Sequence, residues 1–479
     1  MNNAFDALKN KIEGKKCAVL GLGVSNLPLV ELLLTLGGAS RIIVHDKKTL
    51  AELGEEAKSL AERGVEFVCG GDCFENIEGD IIFRSPGIRP AIPAIAAELK
   101  RGAVLTSEIE ELLALTAART FAITGSDGKT TTTTLTGKFL SAAGKRVFVG
   151  GNIGTPLLDK CDEMTNSDAC VLELSSFQLM HAAKAPERVA ITNISPNHLD
   201  WHTDEGEYFQ AKKNIVGENT KRLVVNADCA AIAEFGRQIA ERGGKEVVFF
   251  SSSRASFEQI TDAVGAGGSV RAVFRRDGEI IVSDGKREQV MLSESEILLP
   301  GVHNIENYMT AIALCLDFAD KDDILSVARE FRGVEHRLEP VRTLDGVDYI
   351  NGSIDSSPTR TIAALSALRG RDIVIICGGY DKNLDYSPLA PVLCECVRVA
   401  VLTGNTADKI ENALYKCPDY SPEKVRIIRA DSFENAVLLA KENAKSGGCV
   451  LLSPASASFD RFKNFAERGN YFKRLVMEL

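Results

Sequence analysis

Short apolar, β-branched runs alternate with longer stretches of helical period along almost the whole chain. That alternation predicts α/β layers built on parallel sheets. CAVLGLG (17–23), RIIVHD (41–46) and DIIFRSPG (80–87) read as strands of a first unit, and SEIEELLALT (107–116) as a helix bridging to a second. TFAITG (120–125), RVFVGG (146–151), ACVLELSS (169–176), RVAITNIS (188–195) and RLVVNAD (222–228) supply strands of that second unit. VRAVFRRDGEIIVSDG (270–285) differs: two alternating runs flank Asp277-Gly278, a hairpin signal. A third unit starts near Val334, with strands at 372–379, 398–404, 424–430 and 449–455.

The length of 479 residues fits about three domains at roughly 150 residues each. Net charge is −10, from 56 basic and 66 acidic residues. This speaks against bulk nucleic-acid or anionic-membrane binding, which needs a basic face. The twelve cysteines include no CxxC pair, and most lie in apolar runs, so they read as reduced, buried thiols. No apolar run reaches the ~18 residues of a membrane span, and the N-terminal stretch lacks a signal-peptide core. The expectation is a soluble, cytoplasmic protein without membrane insertion.

Candidate chemistry gathers at strand ends. ITGSDGKTT sits after a strand and before a helix, as a phosphate loop should, although only Ser126 and Asp127 separate Gly125 from Gly128-Lys129-Thr130. Gly125 and Gly128 permit positive φ, so backbone N–H groups can turn inward as an anion nest. Lys129 suits β/γ-phosphate charge, and the Thr130 hydroxyl suits Mg²⁺. Glu173 ends a central strand beside this loop, a position suited to the same cation. Asn152 lies in a glycine-flanked turn, and NHLDWH places His198, Asp200 and His202 after another strand. Asn304 and Asn307 lie one helical turn apart and could read an adenine edge or cap their helix. Arg337 could meet a base or a phosphate, or form an ordinary ion pair. GLGVSN (21–26) resembles a dinucleotide fingerprint with Asn26 for its third glycine. An NAD site, a nucleotide-diphosphate site and a plain strand–helix turn are all compatible with it.

The ordered set TGSDGKTTT, GNIG, ELSSFQL, NHLD, HNxxN, HRxE and SPASASFDRFKNFAERG resembles the Mur ligase family over essentially the whole chain. That family uses the shortened loop, T-G-x-x-G-K-[ST], to hold ATP. The resemblance implies a Rossmann-like UDP-binding domain (1–106), a central P-loop mononucleotide-binding ATPase domain (107–333) and a C-terminal Rossmann-like domain (334–479). It implies ATP as co-substrate, two Mg²⁺ ions, UDP-N-acetylmuramoyl-L-alanine and D-glutamate as substrates, and a monomer.

Residue by residue, it implies that Val24, Ser25, His45, Asp46, Lys47, Ser85, Pro86 and Gly87 bind the UDP moiety. Gly125, Ser126, Asp127, Gly128, Lys129, Thr130 and Thr131, with Asn304 and Arg337, bind ATP. Thr130, Glu173 and His198 hold metal, joined by Lys212 as a carbamate, with Lys213 as the neighbouring rival. Lys129, Asn152, His198 and Lys212 form the catalytic set. Ser356, Lys382, Ser458, Phe459 and Phe465 meet D-glutamate. One motif departs. In NGSIDSS (351–357), Gly352 stands where the family has a ribose-contacting aspartate, and Asp355 where alanine is usual. Either Asp355 takes over the ATP contact or the contact is lost. The alternatives are a folylpolyglutamate synthase-like ligase and a non-catalytic nucleotide- or UDP-sugar-binding relative.

Overall fold

The computed structural model describes residues 4–181, 184–195, 201–267, 269–299, 301–382 and 384–479. These residues form three sheets in an α/β fold. The first holds β1 (Lys16–Leu20), β2 (Arg41–Asp46), β3 (Glu66–Cys69), β4 (Ile81–Arg84) and β5 (Val104–Thr106), all parallel, in the order 3-2-1-4-5. The second has β6 (Arg119–Thr124), β7 (Val147–Gly151), β8 (Ala169–Glu173), β9 (Arg188–Ile191), β10 (Arg222–Asn226) and β11 (Glu246–Ser251). It continues with β12 (Val270–Arg276), β13 (Glu279–Ser283) and β14 (Glu288–Ser293), in the order 14-13-12-11-10-9-6-8-7. The third comprises β15 (Glu339–Leu344), β16 (Val347–Asn351), β17 (Ile373–Cys377), β18 (Val397–Leu402), β19 (Arg426–Arg429) and β20 (Cys449–Leu452), ordered 15-16-20-17-18-19.

Burial explains which strands the apolar pattern reveals. Every residue of β8, β9, β10, β17 and β20 is buried. Strands covered on both faces read as continuous apolar runs. In β17, Ile373 and Ile375 face one core and Val374 and Ile376 the other, as the two-residue period requires. Edge strands such as β3 and β15 are only partly covered, and their sequences carry no such run. The expected hairpin forms at Asp277 (φ 52°) and Gly278 (φ 77°), and β14 extends it into an antiparallel edge.

Contacts divide the chain into two compact units, 1–331 and 332–479. Within the first, one apolar cluster runs from Val19, Val44 and Phe83 of the first sheet to Ala122, Leu172 and Val189 of the second. The bridging helix, Glu108–Leu115, is capped by Ser107, whose hydroxyl accepts from the Glu110 N–H. Its Glu108 carboxylate accepts from the Leu157 and Leu158 N–H groups, at 3.2 and 3.1 Å. Burial nevertheless pushes that carboxyl up to about 7.

Candidate active site

Strand β6 lies between β8 and β9, so the chain leaves it at a point where strand order reverses. Ligands in open α/β sheets bind at the carboxyl ends of strands at such points. The loop after β6 is shaped by its glycines. Gly128 has φ 78°, and a Cβ there would fall 2.3 Å from Asn307 Oδ1. A Cβ on Gly125 (φ 150°) would meet Thr192 Oγ1 at 1.9 Å. The loop is pinned from β9 by Asn193, whose Oδ1 accepts from the Asp127 N–H at 2.8 Å. Ser126 Oγ bonds the Tyr208 hydroxyl at 2.9 Å and the Ser195 carbonyl at 2.9 Å. Lys129 Nζ turns back on the loop and donates to the Gly125 and Ser126 carbonyls, at 3.0 and 2.9 Å.

Beneath the loop, Thr130 Oγ1 donates to Glu173 Oε2 at 2.7 Å, and Asn152 Nδ2 donates to Glu173 Oε1 at 2.8 Å. Asn152 is placed by its own backbone, which donates to the Glu173 carbonyl at 2.7 Å. Gly151 (φ 95°) allows that approach, since a Cβ would come within 2.2 Å of the same carbonyl. Among the described residues, no three His, Cys, Asp or Glu side chains form a metal cluster. The donor set here is a carboxylate and a hydroxyl oxygen. It fits Mg²⁺, which takes few protein ligands and keeps water and phosphate oxygens. The expected ligand His198 lies outside the described residues, as does Asp200. His202 is engaged on both ring nitrogens, by Glu207 Oε2 at 3.2 Å and Ser176 Oγ at 3.0 Å.

Of the two neighbouring lysines, Lys212 reaches the loop. It lies on the helix Glu205–Lys213, is buried, and donates to the Gly125 carbonyl at 2.8 Å. Lys213 Nζ instead lies 5.4 Å from the Phe235 ring centre. Burial, then the nearby Lys129 charge, pushes the Lys212 amine down to about 7. Asn304 and Asn307 belong to the helix Val302–Cys315, and Asn307 Nδ2 donates to Asn304 Oδ1 at 3.3 Å. Asn307 Oδ1 also accepts from Thr132 Oγ1 at 3.2 Å, so the pair is tied to the helix that follows the loop.

In the first sheet, order reverses at β1, between β2 and β4. The turn after β1 exposes Val24 and half-buries Ser25, and a Cβ on Gly21 would lie 3.2 Å from Ser85 Cβ. Asp46 Oδ2 accepts from the Leu22 N–H at 2.8 Å, so this carboxylate braces the turn. A dinucleotide reading would instead turn it to a ribose. Asn26 Nδ2 donates to the Gly21 carbonyl at 2.8 Å, which accounts for an amide in place of the third glycine. His45 is buried, with Nδ1 2.7 Å from the Cys73 carbonyl, whereas Lys47 and Gly87 are exposed.

In the second unit, the carboxyl ends of the neighbouring strands β16, β20 and β17 bring three loops together. Arg468, absent from the sequence-based candidates, stitches the two after β16 and β20. It is buried and donates to Ser353 Oγ and O and to the Ser456 and Ala457 carbonyls, at 2.9–3.0 Å. In the chain it is one of two arginines in the helix Phe465–Glu478, and such a charge reads as solvated. Lys382 Nζ lies 5.3 Å from the Phe459 ring centre, and the Phe459 and Phe465 rings are exposed. Ser458 is buried and Ser356 half-buried.

Asp355 is buried and accepts from Ser453 Oγ at 2.8 Å, and burial pushes its carboxyl up to about 6. A Cβ on Gly352 would fall 2.7 Å from Asp355 Oδ2 and 2.7 Å from the Leu452 carbonyl. The acid at 355 therefore fills the space that a side chain at 352 would enter. Gly352→Ala is expected to cost about 1–3 kcal/mol in a denaturation experiment. Adding Asp355→Ala should recover only part of this, because the Leu452 carbonyl stays in place. Full recovery would contradict the backbone share of the clash.

Residues 16–93 match the model of the MurD N-terminal domain, 123–315 the Mur ligase middle domain, and 336–456 the Mur ligase glutamate ligase domain. The chain is 43% identical to a UDP-N-acetylmuramoylalanine--D-glutamate ligase of Ruminiclostridium cellulolyticum, covering 100% of both chains. It is 42% identical to that of Acetivibrio thermocellus, covering 99% of each. A solved UDP-N-acetylmuramate-alanine ligase from Thermotoga maritima shares the fold, with TM-score 0.51 and 18% identity over 97% of this chain and 98% of that one. The chain belongs to the Mur ligase family.

Proposed function

We propose that the protein is an ATP-dependent ligase that joins D-glutamate to UDP-N-acetylmuramoyl-L-alanine in peptidoglycan precursor synthesis. The observation that carries this reading is the Thr130–Glu173–Asn152 chain beneath the Lys129 loop, in a protein alike over its full length to ligases of that name. The match of residues 16–93 to a MurD N-terminal domain favours a UDP-sugar over folate as the acid.

In the mechanism, the alanyl carboxylate attacks the γ-phosphorus of ATP in line, and ADP leaves. Lys129 gives up its loop carbonyls for phosphoryl oxygens and offsets the charge that spreads over them. Thr130, Glu173, His198 and carbamylated Lys212 would hold Mg²⁺, which supplies further charge neutralisation when bound. The glutamate amine then attacks the acyl phosphate. The tetrahedral intermediate loses inorganic phosphate and the amine's extra proton, leaving the amide. Asn152 orients Glu173, and with His198 steadies the reacting groups.

The UDP moiety is assigned to the turn at Val24 and Ser25, the strand end at His45, Asp46 and Lys47, and the segment Ser85, Pro86 and Gly87. The nucleotide is assigned to 125–131, Asn304, Arg337 and Asp355. D-glutamate is assigned to Ser356, Lys382, Ser458, Phe459 and Phe465, with Lys382 pairing one carboxylate. The reading divides the chain into domains at 1–106, 107–333 and 334–479, acting as a cytoplasmic monomer. Domain closure brings the amine to the acyl phosphate and excludes water. No described helix is long and apolar enough to cross a membrane.

The test is ADP release from purified protein with ATP and Mg²⁺. Sustained release over many turnovers is expected only when UDP-N-acetylmuramoyl-L-alanine and D-glutamate are both present. Turnover that ignores either substrate would overturn the assignment.

A further inference from the structure

Among the described residues, five other than glycine have positive φ, and two of them sit in the tight turns Asp277-Gly278 and Asp345-Gly346. Of the other three, two flank Arg337: His336 (φ 64°) and Leu338 (φ 44°). A leucine in this region is unusual, and such backbone persists only where surrounding structure over-determines it. Residue 337 itself is exposed. A buried amide is central to that over-determination. Asn351, fully buried at the end of β16, directs Nδ2 to His336 Nδ1 at 3.0 Å, to Glu339 Oε2 at 2.9 Å and to the Gly469 carbonyl at 3.4 Å.

The same Glu339 oxygen accepts from the His336 backbone N–H at 2.8 Å. Lys473 Nζ holds the other Glu339 oxygen at 3.0 Å. The His336 carbonyl accepts from the Ile354 N–H at 3.1 Å, and Asn351 Oδ1 from the Ser353 N–H at 3.1 Å. Position 469 must be glycine for this ring to fit, since a Cβ there would lie 2.2 Å from His336 Nδ1. So the 336–338 segment and the 351–355 turn are fastened to each other by this carboxamide and by the direct Ile354 N–H bond to the His336 carbonyl.

We propose that Asn351 is a positioning residue for nucleotide use. It holds the strained His336–Leu338 backbone so that Arg337 is presented in one orientation. The chemistry asks for this: a guanidinium that meets a base or phosphate acts through direction as much as charge, and an exposed arginine on relaxed backbone would sample many. Asn351 has two amide donors and one acceptor, and all are engaged here. Leucine has the same size and neither. This inference rests on the ligase reading above, with Arg337 as a nucleotide contact.

The experiment uses full-length protein and steady-state kinetics with ATP, UDP-N-acetylmuramoyl-L-alanine and D-glutamate, with equilibrium ATP binding measured separately. Asn351→Leu is expected to raise the KM and Kd for ATP about tenfold. The KM for the UDP-sugar should stay within about twofold of wild type. In an Arg337→Ala background the same substitution should have little further effect on ATP. Glu339→Ala removes the shared acceptor and should reproduce the pattern.

Unchanged ATP parameters in a folded Asn351→Leu protein, or an effect that simply adds to that of Arg337→Ala, would overturn the inference. So would loss of the folded state in both Asn351→Leu and Glu339→Ala, which would make the hub a folding element. If wild-type protein bound ATP but did not turn over these substrates, the ligase reading would fall. The ATP-binding arm would still judge the role of Asn351.

Discussion

Lys129→Ala is expected to lower amide formation by about 10²–10³-fold, the usual loss when one preorganised donor to transition-state charge is removed. The expectation starts from position. Lys129 opens the helix after β6, and Nζ already lies over the loop, bonded to the Gly125 and Ser126 carbonyls. Moving from carbonyl dipoles to phosphoryl oxygens requires only side-chain rotation. The backbone nest of the loop is untouched by the substitution, so binding of the UDP-sugar should persist. The check is product formation under saturating substrates, with UDP-sugar affinity measured in parallel. A variant within about tenfold of wild type would remove the phosphate loop from the mechanism.

The second large effect concerns Lys212. An ordinary lysine is protonated at neutral pH and cannot add CO₂. Here burial and the Lys129 charge bring the amine down to about 7 from its usual 10.5, so a substantial neutral fraction exists at pH 7. Two results follow. Protein equilibrated with ¹³C-bicarbonate should show a carbamate carbon signal that vanishes in Lys212→Ala. That variant should lose about 10²-fold or more in rate, comparable to the loss of a charged group in the reacting site.

The linkage to stability has a definite sign. Between about 7 and 10.5 the unfolded chain binds the Lys212 proton and the native chain does not, so native stability rises with pH across that window. Lys212→Met should flatten this rise in thermal melts taken across the interval. An unchanged slope, together with no carbamate signal, would return Lys212 to the status of a structural lysine.

Much of this was legible in the chain because the relevant signals are local. The loop at 125–130 is a contiguous pattern, Glu173 ends an apolar strand whose burial on both faces makes it conspicuous, and Asn152 is marked by its flanking glycines. What escaped reading depends on contacts between distant positions. Strands β3 and β15 are edge strands and lack the continuous apolar run. Asn307 reads equally as an adenine contact or a helix cap until Gly128 is seen to approach it, and Arg468 as a solvated helix charge until four oxygens surround it. Asp46 has the spacing of a ribose ligand, yet it braces the Leu22 backbone, a difference no spacing encodes.

The filled niche beside Gly352 has an evolutionary consequence. Positions 352 and 355 are coupled: with Asp355 in place, a side chain at 352 meets its carboxylate as well as the Leu452 carbonyl. A descendant with a side chain at 352 would be relieved of part of its strain by losing the acid at 355. The two sites should thus change hands together across this lineage, as a linked pair of alleles would.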